Sequence, residues 1–387
     1  MGVDCAFMII QHFLKWIDTA KVAERAAAAN ALARAYVFSE MSFEDRCAAE
    51  AALTLLLDDP SPKVRLAMAE PLSLSHQAPA QIIAGLASDQ PEIAAMVLVR
   101  SPLLSEADLI DRVAAGSPVV QGLIAMRPLL SMGLCAAIAE TGDAASCREM
   151  LNNSGADIAA LSLRRIAERH GDEAALRDMM LRDPRVPAET HHVLMARLGE
   201  ALQGSPLVRA LIGPARAARV TRDACVNASV SLIDATPSAE RPALLEHLRL
   251  CGELTTGFLV RVVAYGKIDF FGGALVTLSG QREARVQALL ANGRDVALEA
   301  LFRAAGLAEA AHRVLLSAIK TWRDVAHGKC IAGPQEVSWM MLRELDRRTG
   351  SAASDSKLAS LLSSIHLQTL RENARGHAIQ IAAARAA

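Results

Sequence analysis

Aromatic side chains are scarce in this 387-residue chain, at 3% of the total, and Tyr and Trp together number five. Sheet sandwiches and barrels draw on aromatic and β-branched residues for their packing, so the shortage counts against them. Lysine is nearly missing as well, with seven residues against 34 arginines. A GC-rich coding bias accounts for that ratio, and so do Arg-rich interfaces, because a planar guanidinium pairs bidentately and gives up little hydration on docking. Neither sign of charge prevails: the formal net charge is −1, which leaves no global field to gather nucleic acid or anionic lipid. The seven cysteines (Cys5, Cys47, Cys135, Cys147, Cys225, Cys251, Cys330) are odd in number and never form a CxxC pair. That excludes a disulfide framework and a zinc ribbon, and most of them read as small core hydrophobes. The apolar stretch 6–17 is too short to span a bilayer and contains His12 and Lys15; it also lacks a basic n-region and a cleavage site. A reducing, cytoplasmic setting is the expectation, with Met8 as an alternative start.

Apolar residues are plentiful, at 52%, and they are carried by Ala, Leu and Val, which favours helix packed on helix. Charge is unevenly spread. Residues 1–110 hold 14 acidic and 8 basic side chains, a balance of −6, so the remainder carries +5.

Punctuation recurs along the chain. At Asp58-Asp59-Pro60-Ser61-Pro62 an apolar helix is stopped by Pro60, and Ser61 is placed to cap a new helix with Pro62 in its first turn. Val64, Met68 and Leu72 then recur at i, i+4, i+8 as one buried stripe. The pattern returns at Gln90-Pro91 before Ile93 and Val97, and at Ser117-Pro118 before Val120, Leu123 and Ile124. Another copy runs from Asp183-Pro184 into Val193, Leu194 and Leu198. A proline-free copy occupies 151–170, with Ile158, Leu161, Leu163 and Ile166 as its apolar positions. Pro60, Pro91 and Pro118 are spaced by 31 and 27 residues. Repeats of that length, each unable to bury its apolar face alone, predict an α-solenoid of helix pairs.

The stretch Leu57-Asp-Asp-Pro-Ser-Pro-Lys-Val-Arg65, followed by Ala67 and Ala69, resembles a HEAT-type repeat. Three further stretches are similar to a bacterial family known as domain of unknown function 2336. They are Gln11-His-Phe-Leu-Lys-Trp-Ile-Asp18, Arg261-Val-Val-Ala-Tyr-Gly-Lys-Ile-Asp-Phe-Phe271 leading to Ala274-Leu275, and Ala300-Leu-Phe-Arg-Ala-Ala-Gly-Leu307. The likeness runs from about Met8 into the 320s. It implies a helical-repeat fold and brings no activity or functional residue with it.

After residue 250 the turns become Gly-based, and helices are predicted over 257–264, 268–278, 282–290, 295–305 and 309–324. The expected organisation is therefore all-α. N-terminal capping or docking helices occupy 1–41, HEAT-like repeats 42–250, and a more globular helical unit 251–347. A flexible linker over 348–357 then leads to an amphipathic C-terminal helix and frayed tail at 358–387.

Chemistry-bearing patterns are few. His191 and His192 are adjacent, so on a helix they point about 100° apart and do not chelate one ion as an i, i+4 pair does. No G-x-S-x-G elbow occurs, and no Cys falls in a recognisable Cys–His pattern. Gly272-Gly273 is not a phosphate loop; close helix packing is its expected use. Asp58, Asp59 and Arg65 read as caps and inter-turn ion pairs. The best anion-binding candidates are Arg209, Arg216, Arg219 and Arg222, with no acidic residue among them; a solvated helix face is the plain alternative. Phe13, Trp16 and Ile17 lie on one helical stripe that either caps the first repeat or docks a partner. Leu358, Leu361, Leu362 and Ile365 form a similar stripe near the C-terminus, where a preceding linker favours docking elsewhere.

These observations predict a non-catalytic scaffold without cofactor or metal. It binds a protein through a concave surface and its terminal helices, and those helices also offer a route to a homodimer. A nucleic-acid-binding protein with an arginine-lined concave face is the alternative.

Overall fold

The computed structural model describes residues 16–17, 19–347 and 353–386; among them lie 22 helices and no strand, so the chain is all-α as expected. Phe13 lies outside the described residues, while Trp16 and Ile17 are helical and Trp16 is exposed. The chain divides into two compact units, Met1–Thr190 and His191–Ala387. The sequence had placed the change of character some 60 residues later, after residue 250.

The first unit contains α1 (Val22–Phe38), α2 (Phe43–Leu56), α3 (Pro62–Leu72), α4 (Ala80–Leu86), α5 (Pro91–Arg100) and α6 (Glu106–Ala115). It continues with α7 (Pro118–Ala125), α8 (Met132–Thr141), α9 (Ala144–Asn152), α10 (Ala160–His170) and α11 (Ala174–Arg182). Alternate helices touch: α1 packs on α3, α3 on α5, α5 on α7, α7 on α9 and α9 on α11. A second row places α6 on α8 and α8 on α10. Each helix pair therefore supplies the interior of the next.

The buried stripes follow the predicted spacing. Val64, Met68 and Leu72 are fully enclosed, as are Ile93 and Val97. Each side chain of this size contributes about 1.5–3 kcal/mol by leaving water. Pro62, Pro91 and Pro118 occupy first-turn positions, where the missing N–H costs nothing. Ser61 and Ser117 take the cap positions with extended backbone, but their hydroxyls do not cap. At the first of these turns the Asp59 carboxylate does that work, accepting from the Ser61 N–H at 2.8 Å. Ser105, Ser131 and Asp143 are true side-chain caps elsewhere.

The arginines explain themselves here. Arg25 grips Asp59, and Arg65 forms a two-pronged pair with Asp89 at 2.6 and 2.9 Å. Those pairs hold both aspartates below the ordinary carboxylate range. For Asp89 the hydrogen bond from Arg65 is the largest influence; for Asp59 burial opposes, and the bonds from Arg25 and the Ser61 N–H outweigh it. Arg112 donates to the Ala87 carbonyl, Arg127 to Leu98 and Ser101, Arg169 to Ala139, and Arg185 to Leu151. Arg165 pairs with Glu140. The partners lie 24–34 residues apart in sequence, which is about one repeat. Guanidiniums thus cap carbonyls and bridge carboxylates from one repeat to the next, a task for which their rigid fork suits them better than lysine.

In the second unit, α12 (Ala188–Gly204), which begins just before the division, leads to α13 (Pro206–Ile212), α14 (Pro214–Ala235), α15 (Arg241–Leu250), α16 (Thr256–Ala264) and α17 (Ile268–Ser279). Then come α18 (Glu283–Asn292), α19 (Asp295–Ala304), α20 (Glu309–Ala326), α21 (Pro334–Asp346) and α22 (Ala353–Ala386). Every residue of α16 from Phe258 to Ala264 is buried, with α14, α17, α20, α21 and α22 around it. Arg323 ties this unit together by donating to the carbonyls of Leu289, Leu290 and Gly293 at the end of α18. Gly266 has φ +76°, and the Trp322 ring lies where a Cβ would go, so glycine is required there.

The C-terminal helix packs within its own chain, against α16, α20 and α21. Leu362 and Ile365 are fully buried, Leu358 and Leu361 partly so, and this stripe is not free to dock elsewhere. The helix starts at Ala353, inside the segment expected to be a linker, and runs to Ala386. From Arg371 to Ile381 every residue is exposed.

Candidate functional site

Polar groups that the second unit buries are joined to one another by hydrogen bonds. His192 is buried; its Nδ1 lies 3.2 Å from His247 Nε2, and its Nε2 lies 3.1 Å from a Glu253 carboxylate oxygen. The hydrogen bond to His192 holds Glu253 below its ordinary value against the opposing effect of burial. Cys251 Sγ approaches the same His247 nitrogen at 3.7 Å, which completes a chain from carboxylate through two imidazoles to a thiol. Burial and Glu253 push that thiol up, opposite to what a nucleophile needs. Among the described residues, no group of three or more His, Cys, Asp or Glu is placed to hold a metal ion. Cys135 and Cys147 are enclosed in the first unit, where burial pushes their thiols up to about 11 and about 12. The sequence did not show that His192, His247 and Glu253 meet, since they lie up to 61 residues apart.

Gly272 and Gly273 serve close packing, as expected: a Cβ on the first would meet Leu290 at 3.1 Å and on the second Leu245 at 2.7 Å. Beside them in the second unit is a cavity of about 890 Å³ floored by Leu245, Phe270, Val276 and Trp322. Of its cations, Arg323 is spent on three carbonyls and Arg241 donates its Nε to Thr236. Arg261, from the family-like stretch, is buried at the heart of α16; it donates to the side-chain oxygens of Asn227 and Gln368, and its Nε has no partner.

Two surfaces stand apart from this economy of paired groups. The first lies where the α7–α8 and α9–α10 connections run side by side. Leu130 accepts from the Asp157 N–H at 3.0 Å and donates to the Gly155 carbonyl at 3.1 Å, forming an isolated parallel bridge. The Asn153 amide donates to the carbonyls of Ala125 and Arg127, while the Arg127 guanidinium anchors the loop to the end of α5. A Cβ on Gly155 would fall 1.9 Å from the Pro128 carbonyl oxygen, so the two backbones touch. This braced edge presents Met126, Leu129, Met132 and Leu161 to solvent, with Leu129 80% and Leu161 78% exposed. The sequence reads Leu161 as one of the apolar positions of the proline-free copy. It sits in the first turn of α10, outside the face that carries Leu163 and Ile166.

The second surface is the arginine run. Arg209 lies on α13, and Arg216, Arg219 and Arg222 lie on α14. All four are exposed, and none makes a hydrogen bond or ion pair within the described residues. Helix α13 has no buried residue; Leu207 and Leu211 are 68% and 73% exposed, with Leu202, Ile212 and Val220 also bare. They differ in this from Arg25, Arg65, Arg127 and Arg323, which are tied to carboxylates or carbonyls.

No described helix is long and apolar enough to cross a membrane. No curated protein and no solved structure matches the chain. One family model does match, over residues 93–355, a span that takes in the braced loop edge, the arginine run and the buried α16. The chain belongs to that family, DUF2336, described as an uncharacterised protein conserved in bacteria.

Proposed function

We propose that the protein is a non-catalytic helical-repeat scaffold that binds a protein partner through the edge formed by the α7–α8 and α9–α10 connections. One observation carries this reading: four large apolar side chains stand in water on backbone that is pinned by hydrogen bonds. Exposed leucines on a floppy loop cost little to hide by local rearrangement. Met126, Leu129, Met132 and Leu161 have no such escape, because Gly155, Asn153 and Arg127 fix the loops. A preformed apolar patch spends little ordering entropy on binding, and methionines adapt to a partner's relief. Burying what remains exposed of the four releases about 4–8 kcal/mol of gross hydrophobic free energy before the costs of association. These four side chains carry no charge to set against a phosphate backbone, which favours protein.

A photo-crosslinking residue at position 129 or 161 in the full chain, expressed in its native host, tests the proposal. The expected result is one protein adduct common to both positions and missing when the probe replaces Leu250, an exposed leucine of the second unit. Adducts that are equal at all three positions, or none at 129 and 161, contradict it.

A further inference from the structure

A seven-residue helix of sequence Pro-Leu-Val-Arg-Ala-Leu-Ile that buries nothing is an unusual use of apolar residues. Leu207 and Leu211 share one stripe at i, i+4, with Ile212 beside it. The helix is fenced by Pro206 at its start and by Gly213, at φ +80°, and Pro214 at its end. It packs against α14, whose exposed face bears Arg216, Arg219 and Arg222. Exposed aliphatic side chains thus lie on the same pair of touching helices as four exposed guanidiniums that have no hydrogen bond or ion pair among the described residues.

We propose that α13 and the first turns of α14 are a contact site for an anionic lipid surface. The leucines enter the boundary between headgroups and acyl chains, and the arginines pair with lipid phosphates. Charge complementarity carries the choice of occupant: no acidic residue lies between Arg209 and Arg222, and phosphate is the anion that a guanidinium binds bidentately. The bare leucines discriminate further. A nucleic-acid backbone satisfies the arginines but leaves Leu207 and Leu211 in water, whereas an interfacial helix buries its apolar side chains to a depth of roughly 5–10 Å. A liquid apolar phase also accepts side chains that diverge around a short helix, without a matching rigid pocket. The site is independent of the α7–α10 edge and stands or falls separately from it.

Flotation of the full chain with 100-nm vesicles tests the assignment, comparing phosphatidylcholine containing about 30% phosphatidylglycerol with phosphatidylcholine alone. Each basic residue near an anionic surface strengthens binding roughly fivefold, so four give a preference on the order of several hundredfold at low salt. Added salt erodes it. Arg216→Gln/Arg219→Gln/Arg222→Gln is expected to lose about 100-fold on the same additivity. Leu207→Ser/Leu211→Ser is expected to lose at least about tenfold, since each leucine carries over 1 kcal/mol of burial. All five positions are exposed, so these variants keep the fold, which circular dichroism checks. No flotation with anionic vesicles overturns the proposal, and so does equal flotation with neutral ones. Duplex DNA bound with a salt slope that the leucine variant leaves unchanged assigns the arginines to nucleic acid instead and overturns it as well.

Discussion

Arg127 offers the sharpest test of how the repeats are held together. Its guanidinium donates to the carbonyls of Leu98 and Ser101 at 2.5 and 2.8 Å, and burial lowers its affinity for the proton without removing the charge. Arg127→Met keeps most of the aliphatic stem and deletes both bonds. Each hydrogen bond from a charged donor is worth about 1.5–3 kcal/mol, set against relief from desolvating the cation. A net loss of about 2–4 kcal/mol follows, local to α5–α10. A chain of two units need not unfold in one step, so a single melting temperature is a poor readout. Hydrogen exchange by mass spectrometry resolves the two. Peptides from 91–170 are expected to exchange roughly 30- to 1,000-fold faster, while peptides from 256–346 serve as an unchanged internal reference. Unaltered protection over 91–170, or a uniform loss along the chain, refutes the view that arginine ties are what join adjacent repeats.

Three further outcomes follow from the same physics. Gly155→Ala places a methyl 1.9 Å from the Pro128 carbonyl and must part the two loops; a loss of about 2–4 kcal/mol in urea unfolding of the first unit is expected. Arg323→Met strips three carbonyls at the end of α18 and is expected to cost about 3 kcal/mol in denaturant unfolding. Arg261→Met removes a buried cation that touches no carboxylate, and is expected to cost less than about 1 kcal/mol; equal losses contradict this contrast. The Glu253 carboxyl is held below its ordinary value by His192, so its contribution is present above the unfolded-state value near pH 4.5 and fades as pH falls through the lower folded one. Glu253→Gln is expected to flatten that acid limb of the stability–pH curve; an unchanged limb refutes the assignment.

Much of the fold was legible because helix spacing and punctuation are local. Helices predicted over 257–324 begin and end within two residues of α16–α20, and the Val64–Met68–Leu72 stripe is enclosed as its period requires. Asp59 and Arg65 cap and pair as read, although on Arg25 and Asp89, which no short window links to them. What escaped was relational. An apolar stripe on α22 reads the same whether it packs in cis or in trans, and only the packed chain shows Leu362 and Ile365 buried at home. Leu161 fits a helical period by spacing, yet its position in the first turn of α10 leaves it outside the buried face. The loop bridge that braces Leu129 joins residues some 26 positions apart and carries no motif. The arginine run was visible as a run, and its place beside a helix that buries none of its residues needed the structure.

The direct measurement of the central claim is the affinity of the crosslinked partner for purified full-length protein, compared across three chains. Leu129→Asp/Leu161→Asp is expected to weaken binding by at least about 100-fold, since two exposed leucines that the partner covers are replaced by charges that cannot be desolvated cheaply. Leu250→Asp in the second unit is expected to bind as the natural sequence does. Equal affinity for all three chains would contradict the assignment of the braced loop edge as the protein-binding surface.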